Sequence, residues 1–276
     1  MRSIYLLLLI APVILFSCKK EANTPQPTIP PINPTSAGLL KDIVIPHLPS
    51  PYYHFEYDTA GRPNLASFAS GLYMYDIVYS GNRISEMKNS WGLNRYRLQY
   101  EYDSMGKVSM IGYINASGVM YRRIFFTYNG QKLFRAKREV NPGTGFIVEK
   151  TVLFQYGADD NLLEMITHWS AIPSAGQTET IYSDWFQQYD DKINTDGFSL
   201  MHEEFFDHLV LLPGIQLQKN NPGKIIHIGD GVNYKIDYTY TYNDLNVPLA
   251  KMGSGVWLNG VDSGKGFESS SVFSYY

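Results

Sequence analysis

From about residue 50 onward, apolar and polar residues alternate in short runs that end on a tyrosine. Phe55-Glu56-Tyr57 leads into Asp58-Thr59-Ala60-Gly61-Arg62, and Tyr100-Glu101-Tyr102 into Asp103-Ser104-Met105-Gly106-Lys107. Period-two alternation predicts strands with Phe55 and Tyr57, or Tyr100 and Tyr102, on one face. Asp58 and Asp103 then stand at the first position of a turn, where a carboxylate accepts backbone N–H bonds. Gly61 and Gly106 supply the left-handed conformation that closes a hairpin. Looser copies follow around Tyr79, Tyr128, Tyr156 and Tyr242, and the tyrosines 57, 79, 102, 128 and 156 are spaced by 22, 23, 26 and 28 residues. A lone hairpin is marginal in water, so successive hairpins must pair into one antiparallel sheet.

Between about Ala171 and Lys224 this rhythm breaks. Trp185–Tyr189 still reads as a strand, with Asp190-Asp191-Lys192 at a turn. Met201, Phe205, Leu209 and Leu212 then recur at helical spacing before Pro213-Gly214. This predicts one short inserted helix near 197–212, capped near Asp196, packing on the concave side of the sheet or covering one end of it. Alternation resumes at Lys224–Ile228 and runs to the C-terminus. The expected fold class is all-β: an antiparallel meander of hairpins in a curved open sheet or half-barrel.

The start of the chain has a different pattern. Met1-Arg2-Ser3 precedes an apolar run from Ile4 to Phe16, followed by Ser17-Cys18-Lys19-Lys20. That run is too short for a spanning helix, which needs about 20 residues, and has the layout of a signal peptide. The single cysteine lies directly after it, and Leu15-Phe16-Ser17-Cys18 resembles a bacterial lipobox. The resemblance implies lipid attachment at Cys18 and a membrane partner through that lipid. Phe16 is bulkier than the usual residue at its position. Residues 19–38 carry Pro25, Pro27, Pro30, Pro31 and Pro34 among polar residues, which makes a semi-extended tether of about 3.1 Å per residue. The expected organisation is a signal segment over 1–18, a tether over 19–38 and one β domain over 39–276. The expected location is the outer membrane, lipid-anchored, with periplasmic and surface-facing orientations both open.

Tyr57-Asp58-x-x-Gly61-Arg62 and Tyr102-Asp103-x-x-Gly106-Lys107-Val108 resemble the YD repeat of Rhs-type toxins and teneurins. The whole chain is similar to YD-like lipoproteins of Bacteroidota. The resemblance covers roughly 50–165 and 235–276. In the large members the repeats spiral into a shell around a cargo. About six units here are too few to enclose anything, so what the resemblance implies is a curved, twisted sheet.

Composition narrows the chemistry. The chain is 44% hydrophobic and 14% aromatic with 18% charged residues, which excludes disorder for most of it. A formal net charge of −3 argues against a nucleic-acid partner. One cysteine excludes an internal disulfide and a cysteine zinc cluster. His202 and His208 are six apart, off the i, i+4 spacing of a helical zinc site, and read as a solvated helix face. Gly260–Gly266 is one residue short of a P-loop and has Gly266 where Ser or Thr is needed, so it reads as a hairpin loop. The aspartates cluster at turns, and no Gly-x-Ser-x-Gly elbow is present. No metal and no cofactor is expected. The leading functional expectation is a non-catalytic envelope module presenting a β surface to a protein or glycan. An envelope polysaccharide hydrolase with a carboxylate pair is the alternative. The 22 tyrosines and four tryptophans pack across strands or, alternatively, form an aromatic binding face.

Overall fold

The computed structural model describes residues 38–89, 96–195, 197–204 and 208–276. Cys18, the tether up to residue 37, Trp91 and Asp196 therefore lie outside the described residues.

Sixteen antiparallel strands close into one barrel in sequence order. They are β1 (Leu40–Val44), β2 (Tyr53–Tyr57), β3 (Pro63–Phe68), β4 (Tyr73–Ser80), β5 (Arg83–Asn89) and β6 (Arg97–Tyr102). Then come β7 (Val108–Ile114), β8 (Met120–Asn129), β9 (Lys132–Val140), β10 (Ile147–Tyr156) and β11 (Leu162–Trp169). The last five are β12 (Thr180–Tyr189), β13 (Pro222–Gly229), β14 (Tyr234–Tyr242), β15 (Pro248–Trp257) and β16 (Gly266–Tyr275). The all-β meander is observed, but the expected open half-barrel is not. β1 pairs with β16, Ile43 opposite Phe273, so the sheet has no free edge. The strand count explains the difference. Two further tyrosine units complete the ring: β12 with β13 around Tyr189, and β16 with β1, whose strands come from opposite ends of the described chain. Neither pair is joined by a short turn, so neither carries a local hairpin signal.

Alternate residues of each strand face the lumen and form the core. Tyr53, Phe55, Tyr75, Ile84, Leu98 and Ile124 are among its buried members. The intervening residues face outward; some are exposed apolar side chains, such as Trp185, Ile228, Met252 and Val272, and others carry charge. Lys88 and Arg97 both pair with Glu86, Arg123 and Lys137 with Glu139, and Lys224 with Asp237. A lipid-embedded barrel has an apolar outer band and a polar interior. Here the described outer wall mixes charged and apolar side chains, and the lumen is lined largely by apolar and aromatic ones.

The expected helix is shorter than predicted, an α-helix over Gly197–Glu204 that we label α1. Residues 209–212 continue without helical structure, although Leu209 and Val210 are fully buried. The segment enters the lumen between β12 and β13 and is surrounded by wall on several sides. Apolar spacing in such a segment records burial from every direction and does not report a helical face. His202 and His208, read from sequence as solvated, are also buried, at 5% and 3% exposure. The Tyr53 hydroxyl lies 2.7 Å from His202 Nδ1 and the Tyr75 hydroxyl 2.5 Å from His208 Nδ1. The Tyr121 hydroxyl lies 3.1 Å from His208 Nε2. Burial holds His208 down to about 3, so it serves as a neutral hydrogen-bonding group. This plug fills the side of the lumen walled by the early strands.

Candidate functional site

The turn residues singled out from sequence sit on one rim. Asp58 Oδ1 accepts the N–H groups of Ala60 and Arg62, and Asp103 Oδ1 those of Met105 and Lys107. Gly61 and Gly106 have φ of 74° and 83°, and the N–H of each donates to the carbonyl of its aspartate. A register shift follows at Glu56/Tyr57 and at Glu101/Tyr102. Together these make a type I turn with a glycine bulge. The carboxylate of Asp58 is held below its usual range by the Arg62 N–H and side chain. None of these residues contributes to a cleft; their work is to shape turns.

The basic residue after each glycine reaches the next unit. Arg62 lies over the Tyr79 ring, 4.3 Å from its centroid, and donates to the Gly81 carbonyl. Lys107 does the same for Tyr128 and Gly130. The unit tyrosines point the other way, each donating to a carbonyl at the start of an earlier strand. Tyr57 bonds Leu40, Tyr79 bonds Pro63, Tyr102 bonds Ile84 and Tyr128 bonds Val108, at 2.7–2.8 Å. Tyr189, Tyr240 and Tyr275 bond Leu162, Pro222 and Pro248. Tyr156 breaks the series: its hydroxyl is buried and has no hydrogen-bond partner among the described residues.

The candidate site is in the lumen, on the side the plug leaves open. A cavity of about 610 Å³ lies against the inner wall of β12 to β16. That volume is within the about 300–1,000 Å³ typical of small-molecule sites. Polar groups are interspersed with apolar ones along it and placed by register. On β12 and β13, Asp184 stands opposite His227, and its Oδ1 lies 2.7 Å from His227 Nδ1. The Tyr234 ring stacks on the His227 ring at 4.7 Å, with 5° between planes. Trp257 and Phe267 form a second stack at 4.3 Å and 28°. Further along the wall, Lys251 stands between Tyr240 and Ser271. Asn194, Gln218 and Asn221, at the two roots of the plug, line the end nearer the tyrosine turns. Pro46, His47 and Leu48, in the loop after β1, line the cavity toward the other rim.

The sequence does not single out Asp184, His227 or Lys251 as site residues, and Tyr238 and Trp257 enter only among the tyrosines and tryptophans of the alternative aromatic binding face. One signal was present: Gly253 and Gly255 alternate inside the strand-like run Met252–Trp257. Glycine within a strand marks a close approach of another group to the backbone. Among the described residues, no group of three or more His, Cys, Asp or Glu could hold a metal ion.

A second buried cluster lies under the plug. The Nε atoms of Arg138 and Arg122 lie 2.8 Å and 3.1 Å from Glu149 Oε2, and Arg138 is 2% exposed. It ties β8, β9 and β10 together inside the lumen wall.

No protein-family model matches this chain, and no curated protein matches it. Solved structures of similar fold exist. A porin-like protein from Bacteroides vulgatus ATCC 8482 aligns with TM-score 0.57 at 14% identity, over 86% of this chain and 98% of that one. A porin-like protein from Bacteroides uniformis ATCC 8492 aligns with TM-score 0.55 at 12% identity, over 81% and 89%. What the chain shares with them, at that identity, is the barrel.

Proposed function

We propose that this protein is a lipid-anchored binding module of the outer membrane that holds a small ligand in its half-plugged lumen. The observation that carries the reading is the cavity, bordered by strands and plug and lined by stacked aromatics and polar side chains. The ion pairs on the outer wall fit a body that stands in water on a lipid stalk, as the Leu15–Cys18 motif and the proline tether suggest. The porin-like neighbours support an envelope setting. The YD-like resemblance belongs to the same reading, with the tyrosine turns as the scaffold that encloses the site. A hydrolase would need a second carboxylate facing Asp184 across the cavity. By register Glu268, which also borders the cavity, falls on the other side of its strand.

The test is occupancy. Protein purified from envelopes is analysed intact by mass spectrometry, beside a Ser271→Trp variant whose indole fills the open lumen. Wild type should release a bound small molecule on denaturation and the variant should not. Equal loads in the two proteins, or an empty wild type, would count against the lumenal site.

A further inference from the structure

We infer that the lumen takes the end of a neutral carbohydrate; this deepens the lumenal reading above and rests on it. The inner wall is built in two registers. Tyr234, Trp257 and Phe267 lie toward the loop rim, while Tyr240, Lys251 and Ser271 lie toward the tyrosine-turn rim. Between them the wall is stripped to backbone. A Cβ at Gly253 would collide with the Tyr238 ring and the Ser269 carbonyl, and a Cβ at Gly255 with the tip of the Phe267 ring. Tyr238 and Phe267 are therefore laid down over bare main chain, in the way edge glycines receive aromatic rings in other sheets. Trp257 stacks on Phe267 and Lys251 lies over Tyr238, so the layer that meets the cavity is topped by the Trp257 indole and the Lys251 ammonium. The C–H face of a sugar ring is the group that packs on an aromatic face while its hydroxyls stay at the margins.

The margins carry what those hydroxyls need. The Asp184 carboxylate accepts hydrogen bonds, and the His227 ring, its Nδ1 2.7 Å from Asp184 Oδ1, offers a second polar nitrogen at Nε2. The Tyr238 hydroxyl and Ser269 Oγ lie 3.3 Å apart at the glycine floor, and Lys251 Nζ lies 5.2 Å from the centroid of the Tyr238 ring. Donors and acceptors are mixed, as polyhydroxyl ligands require. Charge narrows the class further. The carboxylates of Asp184 and Glu268 border the cavity with one ammonium, Lys251, so a phosphate group gains no net attraction. An acyl chain would strip water from Asp184, Lys251, Ser269 and Ser271 and return no hydrogen bonds, at a cost for each group.

The experiment is a titration of the purified full chain in a zwitterionic detergent, read by calorimetry and by Trp257 emission. The probes are neutral trisaccharides in gluco, galacto, manno and xylo configurations, glucose 6-phosphate, and palmitate. At least one neutral trisaccharide should bind at millimolar concentration or below and shift the emission. Tyr238→Ala should weaken that binding at least tenfold, whereas Tyr238→Phe, which keeps the ring, should weaken it less. Binding unaffected by Tyr238→Ala, or a preference for glucose 6-phosphate over every neutral sugar, would overturn the carbohydrate assignment. Palmitate binding that Ser271→Trp abolishes, with no response to sugars, would also overturn it but leave the lumenal site standing. Silence from every probe, together with an empty lumen in the occupancy test, would remove both.

Discussion

A tyrosine hydroxyl buried beside a strand must find an acceptor or lose the bonds it made to water. Seven tyrosines of this barrel solve the problem identically, by donating to a carbonyl at the start of an earlier strand. Tyr156 has no such bond, which provides an internal control. Tyr128→Phe should cost about 1 kcal/mol in chemical denaturation, whereas Tyr156→Phe should be neutral or slightly stabilising. Burial also pushes the Tyr79 and Tyr102 hydroxyls up to about 12, from an ordinary value of 10.0. A group whose folded value is raised contributes stability that is complete below the unfolded value and is lost as pH rises through the folded one. The melting temperature should therefore hold up to about pH 10 and fall steadily between pH 10 and 12. A flat melting curve across that window would show that these rings are not buried.

The hairpin is the element that the sequence spells most clearly. Asp58 and Asp103 accept two N–H bonds each, and the glycine three residues later adopts positive φ. Both interactions lie within five residues of chain, so local chemistry is enough to specify them. Gly106→Val, at φ 83°, should destabilise by about 1–2 kcal/mol and lower the melting temperature without altering the circular dichroism of the folded state. The plug is the opposite case. Its apolar spacing predicted a helix to residue 212, yet α1 spans only Gly197–Glu204. Inside a lumen the environment is apolar on several sides, and Leu209 and Val210 gain as much in an extended path as in a helical one. The histidines depart from the expected solvated face for the same reason. His202 and His208 belong to the interior because tyrosines from β2, β4 and β8 converge on them, and no local rule foretells that convergence.

At the scale of the whole molecule, sixteen strands would leave a water-filled bore. Two things prevent that here: the inserted segment, and the apolar patterning of the inner wall. Arg123, Lys137 and Glu139 stand on the outside, where a bilayer would penalise them. On the proposed reading, membrane attachment rests on the lipid at Cys18. Cys18→Ser should move the protein from the membrane fraction to the soluble fraction without changing its melting temperature. A Cys18→Ser protein that still sediments with membranes would refute the lipid anchor and point to the wall itself.

Alternation, the aspartate–glycine turns and the tyrosine spacing determined by themselves that this chain is an antiparallel β meander, because each depends on neighbours a few residues apart. Closure into a ring, the path of the plug and the cavity it leaves were decided only by tertiary structure. Ile43 meets Phe273 across 230 residues, and Asp184, His227 and Lys251 share a wall only because β12 to β16 are curled to face the lumen. Contacts of that range depend on strand number and curvature summed over the whole sheet, and no segment of the sequence encodes that sum.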